Sequence, residues 1–282
     1  MMDKEFIREH IQQALKEDIQ SGDYSSLACI DASFQRKVKL MAKQSGILCG
    51  VDIFCMVFQE LEPEVKIEKL MQDGDRLEYG DIILRISGSA RNILSAERTA
   101  LNYIQLLSGI ATTTNEYVSI LDGMHTKLLD TRKTTPGLRM LEKYAVKVGG
   151  AVNHRFGLFD MIMLKDNHID FAGGITQAIN RTNQYLKDNN LNLKIEIEVR
   201  NFEELDEVLR VGNVDRIMLD NFTPEDLKRA VEIIDGRYET EGSGGINKST
   251  LKTYAESGVD FISVGALTHH ISALDISLLA DE

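Results

Sequence analysis

The stretch "DRIMLDNFTPEDLKRAVEIIDGRYETEGSGG", Asp215 to Gly245, decides the fold. A short apolar run, "DRIMLDN", ends in polar residues. A helical pattern follows, and then a second short run, "YETEGSGG", that ends in glycines. A third run, "VDFISVGA", comes next, and the three begin about 22 residues apart. That length suits one strand, one helix and two loops. Working outward, "TKLLD", "FDMIMLKDN" and "LKIEIEV" precede them in the same rhythm. Alternating β and α units imply a parallel sheet. Right-handed crossovers wind such a sheet one way, into a barrel or a doubly wound sheet.

The residues before about 112 read differently. "EFIREHIQQALKED" has helical apolar spacing. "RKVKLMAKQSGILCG" and "PEVKIEKLMQDGDRLEYGDIILRISG" read as short strands broken at Asp-Gly and Tyr-Gly-Asp turns. This is a compact sheet-rich module. From "SAERTALNYIQLLSGIATTTNEYVSIL" the pattern turns helical, with Ser95 as N-cap and Gly109 as a break between two helices.

The 282 residues carry a net charge of -12. Such a surface argues against non-specific binding to nucleic acid or anionic membrane. The N-terminus has no apolar h-region, and no apolar run reaches the ~18 residues of a membrane span. The three cysteines, Cys29, Cys49 and Cys55, form no C-x-x-C pair. They are expected to be buried thiols in a soluble cytoplasmic protein.

In a β/α barrel, functional side chains gather at the C-terminal ends of the strands. Those ends deliver Asp130 to Lys133, Lys165 to Asn167, Glu196 and Glu198, Asp220 and Asn221, Glu241 with Ser243 to Gly245, and Gly265. One polar strand end is uninformative, because strands usually stop at polar residues. A coherent chemical set on successive ends is not. Between Arg132 and Lys165 there are seven Lys or Arg and only two acids, so a local anion site stands out against the acidic whole. Arg139, Lys143 and Lys147 have near-helical spacing and fit a solvated helix face equally well.

"EGSGGINKST" is a near miss for a P-loop, because Asn247 stands where the second Gly belongs. Instead, "GSGG" and "SVGAL" come from the last two units, where many barrels hold a phosphate. Glu196, Glu198, Asp220 and Glu241 lie between the cations and these loops. Glu196 and Glu198 are two apart and share one strand face. Such acids can hold ribose hydroxyls, bind Mg²⁺ or stabilise a cationic transition state. Asp166, His168 and Asp170 offer an alternative metal cluster, which helix capping explains as well.

These residues resemble the quinolinate phosphoribosyltransferase family. The likeness is carried by "SAERTALNYIQLLSGIAT", "LLDTRKTTPGLRMLEKYAVKVGGAVNHRFGLFDMIMLKDNHI", "IEIEV", "IMLDN", "EGSGGI" and "SVGALTHHISALDISL". It implies an α/β fold: a sheet-rich N-terminal α/β sandwich domain (1–112) and an incomplete parallel β/α barrel (113–270). A C-terminal helix, 271–282, is expected to pack back on the first domain. The resemblance also implies a homodimer. The implied reaction joins quinolinate to phosphoribosyl pyrophosphate with Mg²⁺, yielding nicotinate mononucleotide, pyrophosphate and CO₂.

Position by position, Thr131, Arg132, Lys133, His154, Arg155 and Lys165 match the pocket that grips the quinolinate carboxylates. Arg98 matches an arginine donated across the dimer interface. Glu198 and Asp220 match acids beside the ribose and Mg²⁺, and Ser243, Gly244, Gly245, Gly265 and Ala266 match the 5'-phosphate loops. The implied catalytic set is Lys133, Lys165, Glu198 and Asp220. One departure is Ala151-Val152, where the family often has a third glycine before "NHR". The competing readings are a same-fold relative with another acceptor, a non-catalytic phosphate-binding barrel, and a barrel aldolase using Lys165 as a Schiff base.

Overall fold

The computed structural model describes residues 4–281 and divides into two compact units. The chain opens with helices α1 (Lys4–Ile19) and α2 (Tyr24–Cys29), then β1 (Gln35–Ala42), β2 (Gly46–Ile47) and α3 (Val51–Leu61). Strands β3 (Lys66–Lys69), β4 (Arg76–Leu77) and β5 (Ile82–Ser89) lead into a long helix, α4 (Ala90–Ile120). Next come β6 (Lys127–Leu129), α5 (Arg139–Val148), β7 (Ile162–Leu164), α6 (Asp166–Ala172) and α7 (Ile175–Asp188). The repeating units follow: β8 (Ile195–Val199), α8 (Phe202–Val211), β9 (Arg216–Asp220), α9 (Pro224–Ile234), β10 (Glu239–Ser243), α10 (Leu251–Ala255), β11 (Phe261–Ser263), α11 (Ala266–His269) and β12 (Ile276–Ala280).

The first unit holds residues up to Asn115, with Met140–Gly150 and the segment from His270 onward. Its main sheet is antiparallel, in the order β12-β1-β5-β3. The segment expected as a helix over 271–282 is instead the strand β12, paired with β1 from Val38↔Ala280 to Ala42↔Ile276. "DISLLA" alternates polar and apolar residues only weakly, and the open edge of β1 satisfies its backbone groups as a ladder. The expected break at Gly109 is also absent, and Ser95 lies inside α4 rather than capping it. A Cβ at Gly109 would lie 2.3 Å from the Ser272 carbonyl oxygen, so this glycine permits close backbone approach rather than ending a helix. Cys49 and Cys55 are buried free thiols as expected, but Cys29 is exposed.

The second unit, Glu116–Arg139 with Ala151–His269, is a six-stranded parallel sheet in the order β6-β11-β10-β9-β8-β7. The barrel is not closed. At the β6 edge the ladder ends in a single parallel bridge, Leu129↔Val152. One sheet face is apolar: Ile197, Val199, Ile217, Leu219 and Ile262 are fully buried. Burying each such side chain contributes roughly 1.5–3 kcal/mol. Buried on the adjacent helices are Leu205 and Val208 of α8, and Leu227, Ala230 and Ile234 of α9. Each helix starts at a side-chain cap. Asn201 accepts from Glu204 N–H, and Thr223 accepts from Asp226 N–H with Pro224 at the first turn.

The other face is polar, and strand register sets its rows. Glu196 pairs with Arg216, and Arg216 with Glu239. One step further, Glu198 pairs with Met218, and Met218 with Glu241. Asp220 and Ser243 pair at the C-terminal ends. A parallel sheet with carboxylates on its inner face is not built for stability alone.

Candidate active site

A cavity of about 840 Å³ opens at the C-terminal ends of the parallel strands, within the usual range for small-molecule sites. Every expected site residue of the second unit lines it. Thr131, Arg132 and Lys133 follow β6; His154 and Arg155 come from the segment before β7; Lys165 follows β7. Glu198 and Asp220 stand on β8 and β9, while Ser243, Gly244 and Gly245 end β10 and Gly265 and Ala266 follow β11. Arg98 is exposed on α4 and is not among the lining residues.

The cationic side is held by local hydrogen bonds. Lys133 N–H donates to Thr131 Oγ1 at 3.0 Å, and Thr268 Oγ1 donates to the Lys133 carbonyl at 2.7 Å. Buried Asp130 accepts the His154 backbone N–H at 2.7 Å, tying "TRK" to "NHR". The Arg132 Nε donor is buried and makes no hydrogen bond among the described residues. A buried donor without an acceptor is costly, and an anionic ligand supplies one. Burial, and then the nearby Arg132 guanidinium, lower the pKa of Arg155, so two like charges are crowded where an anion would relieve them.

Glu198 lies against the Lys165 ammonium, with 3.5 Å between Oε2 and Nζ. Burial raises the pKa of both Glu198 and Asp220, and Lys165 opposes the rise in each. The two carboxylates also repel one another, since Asp220 raises Glu198 further. Two adjoining acids suit Mg²⁺, which takes one or two carboxylates and completes its shell from substrate phosphates and water. Asp166, His168 and Asp170 do not converge as a metal cluster. His168 Nδ1 accepts the Lys165 N–H at 3.0 Å and caps α6 instead.

The opposite wall is backbone. Gly244 and Gly245 take consecutive positive φ values of 99° and 64°, and a strand end of glycines leaves backbone N–H groups that an anion can approach. Asn221 N–H donates to the Ser243 carbonyl at 2.9 Å, and its side chain donates to Asp220 at 2.6 Å. A Cβ on Gly244 would fall 2.2 Å from Asn221 Oδ1. A Cβ on Gly265 would fall 3.0 Å from Lys133 Cδ, so both glycines keep space that any side chain would fill.

At the cavity wall His154 meets two buried acids, Glu196 and Glu241. Its Nε2 lies 3.1 Å from Glu196 and 3.3 Å from Glu241. Arg216 pairs with Glu241 at 3.2 Å and with Glu239 at 3.0 Å. Burial opposes the imidazolium, but the two acids outweigh it and raise the His154 pKa to about 9. Yet Arg155 N–H donates into His154 Nδ1 at 2.6 Å, which requires that nitrogen to be unprotonated. The hydrogen bond decides the form in this conformation: the ring carries its proton on Nε2, toward the acids. Burial, followed by Glu241, pushes Glu196 up to about 7.

Sequence reasoning placed Glu196 and Glu241 among the strand-end acids but did not connect them to His154, and it passed over Arg216. The signal was available as a charged residue inside each of three neighbouring apolar runs. Lys143, given equal weight as a solvated residue, is almost fully buried in α5, whereas Lys147 is exposed.

The comparisons agree with this geometry. Residues 110–279 match the family model "Quinolinate phosphoribosyl transferase, C-terminal domain", and residues 23–108 match the corresponding N-terminal domain. The chain is 43% identical to quinolinate phosphoribosyltransferase [decarboxylating] 2, mitochondrial, of Nicotiana glauca, covering 98% of this chain and 82% of that one. It is 44% identical to the probable nicotinate-nucleotide pyrophosphorylase [carboxylating] of Bacillus subtilis, over 93% and 89%. The crystal structure of NadC from Streptococcus pyogenes superposes with a TM-score of 0.94 at 42% identity, covering 100% of this chain and 99% of that one. With both family domains matched in order and the strand ends assembled into one cationic cavity, the chain belongs to the quinolinate phosphoribosyltransferase family.

Proposed function

We propose that this chain transfers the phosphoribosyl group of phosphoribosyl pyrophosphate to quinolinate and releases CO₂. The observation that carries the reading is the composition of the cavity at the strand ends: Arg132 with its orphan Nε donor, Lys133, Arg155 and Lys165 on one side, glycine-rich strand ends on the other, and Glu198 and Asp220 between them. A pyridine dicarboxylate fits the cations, and a 5'-phosphate fits the glycine-rich Gly244–Gly245 strand end. The pyridine nitrogen forms a bond to ribose C1 as the C1–pyrophosphate bond breaks, and the electron pair leaves with pyrophosphate. Glu198 and Asp220 face the positive charge that develops on the ribose. The C2–carboxylate bond then breaks, CO₂ departs, and its electron pair stays on C2 beside the quaternary nitrogen until a proton is taken up. Lys133 and Lys165 hold the departing carboxylate and the carbanion that follows.

Glu198 and Asp220 are the residues that would hold Mg²⁺, which when bound neutralises the pyrophosphate. The working form is a homodimer in the cytoplasm, with Arg98 reaching the partner's cavity. Exposed Leu158 and Phe159, with the Phe156 ring centre 6.3 Å from that of Phe159, support a dimer, because contiguous apolar surface is the kind a second copy covers. Among the described residues no helix is long and apolar enough to cross a membrane. The test is an acceptor comparison. Purified chain with Mg²⁺ and phosphoribosyl pyrophosphate should convert quinolinate and leave nicotinate untouched. Turnover of nicotinate alone would favour a same-fold enzyme with another acceptor, and turnover of neither would favour a phosphate-binding barrel.

A further inference from the structure

We propose that Glu196, Glu241 and Arg216 are positioning residues that lock the His154 ring and, through it, the Arg155 turn on the acceptor side of the cavity. The inference rests on the function proposed above and extends it to buried residues behind His154, of which Glu241 also reaches the cavity wall. Glu196 and Glu241 have no exposed surface, and His154 has 8%. His154 is held on three sides: its backbone N–H donates to Asp130, its Nδ1 accepts from Arg155, and its Nε2 lies at ion-pair distance from both carboxylates. With both ring nitrogens turned to protein, His154 serves the acceptor by placement rather than by gripping it. Its direct beneficiary is Arg155, whose backbone N–H it receives and whose Nη1 reaches the Met161 carbonyl at 3.1 Å.

The arrangement has a reason in register. β8 and β10 flank β9: Glu196 is the register partner of Arg216, while Glu241 lies one step on, beside Met218, and is reached by the Arg216 side chain at 3.2 Å. Arg216 is itself fixed, with its guanidinium 4.1 Å from the centre of the Phe261 ring and its Nη groups on Glu239 and Glu241. Buried acids of this kind persist only where something holds them and they hold something in turn. The three ligand atoms of His154, Glu196 and Glu241 also lie within 4.8 Å of one another, close enough for a metal ion. The Arg216 guanidinium on Glu241 already supplies the countercharge there, which favours the positioning role.

The test uses the full chain and the variants Glu196→Gln, Glu241→Gln and Arg216→Lys, with quinolinate and phosphoribosyl pyrophosphate varied separately. The two Gln variants should raise KM for quinolinate about 10-fold or more, as loss of a supporting partner does elsewhere, and change KM for phosphoribosyl pyrophosphate by less than about 2-fold. Arg216→Lys keeps the charge and should retain most of the affinity. The double variant His154→Asn with Glu196→Gln should lose no more than His154→Asn alone, since the two act as one unit. Should the Gln variants not fold, the Arg216→Lys and Arg216→Met pair carries the same comparison. Equal rises in both KM values, additive losses in the double variant, or zinc that binds the wild type one-to-one and is lost with Glu196→Gln would each overturn the proposal. Calorimetry with pyridine-2,3-dicarboxylate separates the two levels. No binding to the wild type sinks the proposed function, whereas equal binding by wild type and variants sinks only the positioning role.

Discussion

The buried Nε of Arg132 makes no hydrogen bond among the described residues, so an acceptor carboxylate would complete it. Arg132→Met should raise KM for quinolinate roughly 10- to 100-fold, because a charge-assisted hydrogen bond contributes ~1.5–3 kcal/mol; an unchanged KM would remove Arg132 from the carboxylate site. Asp160 accepts the Phe156 and Gly157 N–H groups at 2.6 and 2.8 Å. Burial raises its pKa, but these backbone donors outweigh burial and hold it below the usual 3.8. The folded value is depressed, so its contribution is present above the unfolded pKa and is lost as pH falls through the folded one. Asp160→Ala should cost about 1 kcal/mol near neutral pH, the worth of an exposed hydrogen-bond pair. The difference from wild type should shrink as urea titrations move below pH 3.8.

At the scale of elements, α4 and β12 show what was legible and what was not. The β/α rhythm from "TKLLD" to "SVGA" could be read directly, because each unit is local and strands must end where their side chains reach solvent. The charged strand ends could be read for the same reason. β12 could not, because "DISLLA" becomes a strand only through the open edge of β1, far away in sequence. Gly109 misled in a related way: the cause of the glycine lies at Ser272, not in the helix around it. Gly109→Ala makes this measurable. Helix propensity favours Ala by ~0.5–1 kcal/mol, but overpacking costs ~1–3 kcal/mol. With the Cβ at 2.3 Å from a backbone oxygen, overpacking should win and the melting temperature should fall; a rise would show that the Ser272 segment yields. The His154 network escaped sequence reasoning because its members come from four separate elements whose convergence depends on register.

For the whole molecule, the net charge of -12 was a poor guide to the site. The acids are spread along the chain, while cations gather where one end of the sheet concentrates them. Leu158 and Phe159 are 72% and 71% exposed, and if a second copy covers them, Leu158→Ser with Phe159→Ser should shift sedimentation from dimer to monomer. A wild-type monomer at micromolar concentration would contradict the dimer. The central claim, decarboxylating transfer in the cavity at the strand ends, has a more direct test. Quinolinate labelled with ¹⁴C in its 2-carboxylate, incubated with the chain, Mg²⁺ and phosphoribosyl pyrophosphate, should release labelled CO₂ in step with unlabelled nicotinate mononucleotide, one for one. A mononucleotide that keeps the label, or no mononucleotide at all, would contradict it.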